Sequence, residues 1–509
     1  MPSQDNVVHI TQCKVPPPLQ IGIFFDGTAN DDKDPTALSN VWYLYDMHEG
    51  DDELLENKKY TSRRFYQRGV GSESKGFFSW AVDGAGNAGG YGAAVRFENV
   101  IYYIEQYIIE YKKKFKELPL TINLDVFGFS RGAAMARHFV NCIKQNYFDF
   151  KDSDINKAFS ANNILINFLG IFDTVGSFNI AGDNGDFGFS FHIDPSWIES
   201  KAVHIYALNE YRWGFDQQAL TQKQDSNYPV DIIEGNFIEI GLPGAHSDIG
   251  GSYPFNKSVQ FANNALLACP PLALMVKYAK ESCVPLDAEL SDEARKDAGS
   301  ALIDTNKNDG ADGSRSYDEM MDSYSAIKPY IEDNSLRATM GLWREHIALA
   351  DIYQFKLTNV KEDFKPKARF EDYYAEKKRE KLQSEINYLE NQLKQVNTKV
   401  SLSEQQLKAL FSSESDFNNF KSHYDILYQK YMHRSHHPFN TTFAMGQQDA
   451  DENFWIWNKT VSDDRPHRDI FYNKLKDFEK INVSIMTSDN ETVPEFNILE
   501  SNKWDDATP

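Results

Sequence analysis

Cysteine is scarce in this chain: Cys13, Cys142, Cys269 and Cys283 are the only four among 509 residues. They are dispersed and form no C-x-x-C pair. That argues against a disulfide scaffold and a thiolate metal site, and fits folding in a reducing cytosol. Long apolar runs are also missing. No stretch reaches the roughly eighteen apolar residues of a membrane-spanning helix, so none is expected. The first residues, MPSQDNVVHITQCKVPPPLQ, lack a basic start followed by an apolar core and do not read as a secretory signal. Export would need other machinery. Positive charge is in deficit, with 53 Lys and Arg against 75 Asp and Glu, a net charge of −22. Such a chain repels phosphate backbones, which excludes nucleic acid as an expected partner. The same field opposes long-range attraction to anionic membranes, so lipid contact has to rest on apolar side chains or a local basic patch.

What is present is ordinary for a soluble globular protein, apart from 14% aromatic residues, which supply a rich core or sizeable apolar pockets. Residues 1–18 read as a flexible arm ending in Pro16-Pro17-Pro18. Continuous apolar runs then follow at Leu19–Phe25, Thr121–Phe127, Ile164–Phe172, Ala202–Leu208 and Phe237–Leu242, each ending at a turn signal. Between the first two lie a glycine-rich loop over 71–94 and an amphipathic helix over 98–115; a further helix is expected from Ala133 to Tyr147. Buried strands alternating with helices predict an α/β fold, a mostly parallel sheet with helices on both faces. We place this α/β domain at 19–285 and an insertion or lid-like region at 286–365. A helical hairpin module at 366–435 and a segment packing on the core or hairpin at 436–509 complete the C-terminal helical or mixed module. Leu382, Ile386, Leu389, Leu393, Val396 and Val400 form a heptad seam, and Ser401-Leu402-Ser403-Glu404 reads as a new helix start with a capping box.

Gly128-Phe129-Ser130-Arg131-Gly132 is a G-x-S-x-G match that follows a strand and opens a helix. A nucleophilic serine on that sharp turn needs small residues two before and two after it, here Gly128 and Gly132. The following helix points its N-terminus at the developing oxyanion, and the N–H of Arg131 is the expected first donor. A serine hydroxyl needs a base, and the base an orienting carboxylate, in the chain order Ser, Asp or Glu, His. His246 fits the base, in a glycine-rich loop directly after a strand. Asp173, at the end of its strand, is favoured as the acid over Asp183, Asp186, Asp194 and Asp248. Gly27 or Thr28, in the loop after the first strand, would give the second oxyanion donor, with Asp26 bracing the loop and Asp248 supporting the histidine. The run Asp304–Gly310 departs from a calcium loop, with its glycine at the seventh position and Arg315 where the bidentate Glu belongs, and reads as a solvated polar loop. His433, His436 and His437 show no ligand spacing and read as surface residues.

Five segments carry a resemblance: Gly22-Ile23-Phe24-Phe25-Asp26-Gly27-Thr28, Gly128-Phe129-Ser130-Arg131-Gly132-Ala133, Phe172-Asp173-Thr174-Val175-Gly176-Ser177, Ala207-Leu208-Asn209-Glu210 with Arg212, and Gly244-Ala245-His246-Ser247-Asp248-Ile249-Gly250-Gly251. In this order they resemble the α/β-hydrolase family that includes the type VI secretion lipase effectors of the first class, over roughly residues 20–255. The resemblance implies a phospholipase A-type esterase with a Ser130–Asp173–His246 triad and no metal or cofactor. It further implies an antibacterial toxin made in the cytoplasm of the producing cell and delivered by a needle-like apparatus to the periplasm of a neighbour. A spike protein would carry it, membrane phospholipid would be its substrate, and an immunity protein would neutralise it. Asn209 stands where the family shows Asp. Two other readings stay open: a serine hydrolase acting on a different ester or amide, and a non-catalytic cargo or binding module.

Overall fold

The computed structural model describes residues 18–27, 30, 38–50, 55–56, 61–69, 88–160, 162–176, 193–211, 220, 232–252, 266–287, 317–364 and 373–433. Its centre is an eight-stranded sheet. The strands are β1 (Leu19–Phe25), β2 (Leu55–Glu56), β3 (Thr61–Gln67), β4 (Ile122–Phe129), β5 (Ile164–Phe172), β6 (Ile198–Ala207), β7 (Ile232–Glu234) and β8 (Phe237–Leu242), in the order β2-β3-β1-β4-β5-β6-β8-β7. The six strands from β3 to β8 in that order are parallel, and β2 and β7 close the two edges antiparallel. The chain runs outward one way from β1 to β3, then crosses back to β4 on the other side. That reversal opens a crevice beyond the carboxyl ends of β1 and β4, where ligands bind in open α/β sheets.

The sheet is covered on both faces because its strands alternate two apolar sets. Ile21, Ile23, Phe25, Leu124 and Val126 pack against helices α2 (Ala88–Phe115) and α3 (Arg131–Lys144). Phe24, Phe127, Phe168, Val203 and Ile205 point the other way, into a core shared with α1 (Asn40–Met47) and α6 (Cys269–Glu281). That second core continues without a break into α7 (Tyr317–Ile331), α8 (Arg337–Phe364) and α10 (Glu414–Ile426) through Ile327, Trp343, Phe420 and Tyr424. The chain also forms short helices α4 (Ser153–Ala158) and α5 (His246–Gly250) and the long α9 (Tyr373–Lys408).

Several elements differ from the sequence reading. The helix expected from 98 begins at Ala88, inside the stretch read as a loop. Strand β3 and helix α1 are additions. Their sequences hide them because β3 carries Arg63 and Arg64, which look like surface residues. Arg64 instead donates Nη1 to the carbonyls of Tyr45, Asp46 and His48 at the end of α1, where the last carbonyls of a helix take side-chain donors. Arg63 pairs with Glu110 at 2.7 Å and lies over the Tyr107 ring. The heptad seam of α9 finds its partner in α8, not in a later helix: Ile386, Leu389 and Val396 bury against Leu349, Ile352 and Leu357. The pairs Lys361–Glu390 and His346–Ser403 run in opposite directions along the two helices, so the hairpin is antiparallel. No helix starts at Ser401. Helix α9 passes through it, and Ser403 Oγ donates back to the Lys399 carbonyl, which lets a serine sit in a helix interior. No described helix is long and apolar enough to cross a membrane.

Candidate active site

The turn between β4 and α3 holds Ser130 at φ 59° and ψ −125°, a positive φ that costs a non-glycine residue about 1–3 kcal/mol. Its neighbours hold it there. Ser130 donates its N–H to Phe172 O at 3.1 Å, and Ser130 O accepts from Val175 N at 3.2 Å. The glycines of the motif have steric reasons. A Cβ on Gly128 would lie 2.6 Å from Ala133 Cα, and one on Gly132 would lie 2.3 Å from Phe25 O, backbone that has nowhere to go. Arg131 is the first residue of α3, and the N–H at that position has no acceptor within its own helix.

Asp173 follows β5 directly, with φ 33° and no exposure. Its two oxygens have separate tasks. Oδ1 accepts the Ala207 N–H at 2.8 Å, and Oδ2 lies 2.8 Å from His246 Nδ1. His246 opens α5 just beyond β8, and its ring lies 4.6 Å from that of Phe129 between centroids. Ser130 thus borders the Asp173 segment on both sides by backbone bonds, and Asp173 holds His246 by its carboxylate. The nitrogen facing Asp173 is Nδ1, which leaves Nε2 for proton transfer.

The loop after β1 contains Asp26 and Gly27; Thr28 lies outside the described residues. Burial pushes the Asp26 carboxyl above its ordinary range, against bonds from Tyr66 Oη at 2.5 Å, Ser39 Oγ at 2.7 Å, Gly27 N at 2.6 Å and Asn30 Nδ2 at 3.3 Å. This corrects the expectation for Gly27, whose N–H is directed at Asp26 rather than at a substrate oxygen. What Gly27 contributes is room: a Cβ there would lie 2.7 Å from Phe129 and 3.4 Å from Ser130 Cβ.

Asp248 does not touch His246 through its carboxylate. Oδ2 accepts the N–H groups of Ala245 at 2.9 Å and His433 at 3.0 Å, and Oδ1 lies 2.6 Å from His433 Nδ1. His433 is therefore no surface residue, its side chain being only 9% exposed. The sequence hid this because the partners are 185 residues apart. Asp194, a rival for the acid, caps the turn at Pro195–Trp197 instead. Asp183, Asp186, His436, His437, the run 304–310 and the segment from 436 onward lie outside the described residues.

Sequence reading named Asn209 and Glu210 without a role and passed over Tyr424, His204 and Glu239, which support these three. Asn209 Oδ1 accepts from Gly244 N at 3.1 Å, its N–H donates to Gly244 O at 2.9 Å, and its Nδ2 donates to Tyr424 Oη at 2.9 Å. Glu210 Oε2 accepts the His246 N–H at 3.2 Å. Behind Asp173, Thr174 N donates to His204 Nε2 at 3.3 Å, so Nδ1 of that buried ring carries the proton facing Glu239 Oε1 at 2.7 Å. The adjacency of Asn209 and Glu210 at a strand end was the available signal. No cluster of three His, Cys, Asp or Glu residues able to hold a metal occurs among the described residues.

Comparison with known proteins adds to this geometry. No curated relative matches the chain. Among solved structures, an uncharacterized protein from Pseudomonas aeruginosa is 17% identical with a TM-score of 0.45; the match covers 80% of this chain and only 64% of that protein's length. A Tle1 effector bound to the VgrG spike of the type 6 secretion system is 21% identical with a TM-score of 0.39, over 56% of this chain and 79% of the other. The family model of the type VI secretion Tle1-like phospholipase effector catalytic domain matches residues 20–147 and 144–278, just over half of the chain. The chain accordingly belongs to the Tle1-like phospholipase effector family of type VI secretion.

Proposed function

We propose that this protein is a phospholipase A-type serine esterase that hydrolyses phospholipid acyl esters with Ser130, Asp173 and His246. The observation that carries the reading is the 2.8 Å pairing of Asp173 Oδ2 with His246 Nδ1, next to a serine held on a strained strand-to-helix turn. Ser130 Oγ attacks the ester carbonyl while His246 Nε2 takes its proton. The Arg131 N–H and a second donor from the loop after β1, for which Thr28 is the remaining candidate, receive the charge on the carbonyl oxygen. His246 then delivers the proton to the lysophospholipid leaving oxygen. Water, activated by the same imidazole, releases the fatty acid and regenerates Ser130. Asp173 fixes the His246 tautomer throughout and stabilises the imidazolium. Each of these steps is carried by side chains and backbone N–H groups of this chain.

Family membership supports the wider setting: an antibacterial effector made in the producer's cytoplasm, carried on a spike protein into the periplasm of a neighbouring cell, and neutralised at home by an immunity protein. The test is mass spectrometry of phospholipid vesicles digested by wild type and Ser130→Ala. Fatty acid and lysophospholipid released by wild type alone support the reading. Equal release by both sinks the nucleophile, and release by neither sinks the substrate.

A further inference from the structure

We infer that the C-terminal helical layer is part of the catalytic apparatus, with Tyr424 and His433 as positioning residues that hold the loop carrying His246. The inference rests on the reading of His246 as the base. That loop, residues 243–248, is not fixed by the sheet alone. One side of it is tied to the exit of β6, where Asn209 bonds Gly244 in both directions and Glu210 accepts the His246 N–H. The exit is itself held from the helical layer. Asn209 Nδ2 donates to Tyr424 Oη at 2.9 Å, and Tyr211 is buried against Ala348, Leu349 and Ile352 of α8.

The other side of the loop is tied by Asp248. Its carboxylate is buried and takes three donors, of which His433 supplies two. Without the His433 side chain, Oδ1 of this buried carboxylate, two residues from the base, loses its donor and only the backbone N–H groups of Ala245 and residue 433 remain, both on Oδ2; burying an under-paired charge is costly enough to move the loop instead. The seat of His433 is fixed in turn. The preceding π-helical turn, Leu427–Tyr431, is anchored on α7 by Tyr431 Oη and Lys430 Nζ, both on the Glu319 carboxylate at 2.6 and 2.7 Å. The path from helical layer to imidazole is thus short on both sides. Asn209 adjoins Glu210, the acceptor of the His246 N–H, and a single residue separates Asp248 from His246.

The test uses the full chain with His433→Ala, His433→Asn, Tyr424→Phe and, as blank, Ser130→Ala. Asparagine keeps an N–H donor at the position of Nδ1. Readouts are kcat and KM on p-nitrophenyl butyrate, the rate of fluorophosphonate labelling, and the thermal midpoint. A misplacement of about 1 Å at a reacting group costs on the order of 100-fold. His433→Ala is expected to lower kcat and labelling by about that factor with KM nearly unchanged, while His433→Asn restores most of both. Tyr424→Phe is expected to lower kcat by about tenfold, since one of the two ties remains. A merely structural contact would lower the thermal midpoint and leave kcat and labelling alone. His433→Ala at wild-type kcat, or His433→Asn no better than Ala, overturns the inference. Should His433→Ala fail to fold, Tyr424→Phe decides by the same measure. Wild type that labels no faster than Ser130→Ala would sink the catalytic reading and this inference together; wild type that labels but leaves phospholipid intact would sink only the substrate.

Discussion

Replacing Asp173 with asparagine tests the site most sharply, because the structure dictates which way the new amide must face. Oδ1 accepts the Ala207 N–H at 2.8 Å, and that donor is part of the strand ladder's end and cannot turn away. The oxygen of the new amide therefore belongs on that side, which puts its NH2 against His246 Nδ1. A donor there requires Nδ1 to be the acceptor, so the ring proton moves to Nε2, where the base should be. A wrong tautomer of this kind costs about 10⁴-fold in kcat, about 5 kcal/mol. The escape is to flip the amide. That sets NH2 against the Ala207 N–H and leaves a buried donor unpaired, at about 1–3 kcal/mol, with the carboxylate charge still missing. Asp173→Asn is thus expected to fall between about 10² and 10⁴ below wild type in kcat, with KM little changed. Steady-state hydrolysis of a soluble ester and the rate of fluorophosphonate labelling measure it. A variant at wild-type kcat would refute the assigned acid, because the wrong tautomer, or the flip together with the lost charge, must lower it.

Other perturbations follow from the same contacts. Gly132→Ala would place a Cβ 2.3 Å from Phe25 O and 2.4 Å from Asp26 O, so the elbow must open; a loss of about 1–3 kcal/mol in urea unfolding, with labelling abolished, is expected. Gly250→Ala would meet Phe129 Cε2 at 1.9 Å and push that ring against His246, so kcat should drop while urea unfolding registers the strain, and wild-type values of both would contradict the packing. Asp125 lies at the centre of β4, where burial raises its carboxyl to about 7 in spite of donors from Asn167 and Gln20. The folded state keeps that proton until about pH 7, whereas the unfolded chain loses it near the ordinary value of 3.8, so stability falls as pH rises between those values. From pH 5 to pH 8, Asp125→Asn should gain about 3 kcal/mol relative to wild type in urea unfolding, and a pH-independent difference would overturn the assignment.

The parts legible in the sequence were those whose signal is local. The run Leu19–Phe25 is apolar at nearly every position and buried throughout, because a strand with neighbours on both sides and helices above and below has no solvent-facing side. Ser130 was legible because the turn needs glycine two residues before and after, a rule written within a single short motif. The pairing of His246 with Asp173 was legible by chain order and strand-end position. What stayed hidden depends on partners far along the chain. Arg63 and Arg64 made β3 look like a loop, and only Tyr107, Glu110 and the end of α1 explain their burial. His433 looked like one of three loose histidines until Asp248 stood beside it. The Gly27 N–H looked available until the Asp26 carboxylate took it. Asn209, a departure of one functional group from the family's aspartate, looked minor. As an amide it donates to Tyr424 and accepts from Gly244 at once, which a carboxylate cannot do.

These contacts divide the work of holding the site. Ser130 and Asp173 both sit at positive φ, and each such residue persists only where its surroundings over-determine it. Their restraints come from the sheet: Phe172 O and Val175 N on Ser130, Ile205 O and Ala207 N on Asp173. The buried His204–Glu239 pair adds a bond to Thr174. The loop of His246 is anchored by side chains from outside the sheet and begins with Gly244 at φ 133°. Strain is therefore stored where hydrogen-bond ladders resist it, and His246 is held by contacts that bridge two parts of the chain. The second core enforces this arrangement, because Phe127, Tyr206 and Ile240 of the sheet share it with Trp343, Phe420 and Tyr424 of the helices. Burying a Phe-sized side chain contributes about 1.5–3 kcal/mol, so separating the two parts opposes the same interactions that fold them. If His246 is the base, as proposed, loosening the helical layer is expected to displace the imidazole as well as to weaken the fold, so kcat falls beyond what an unfolding curve alone records.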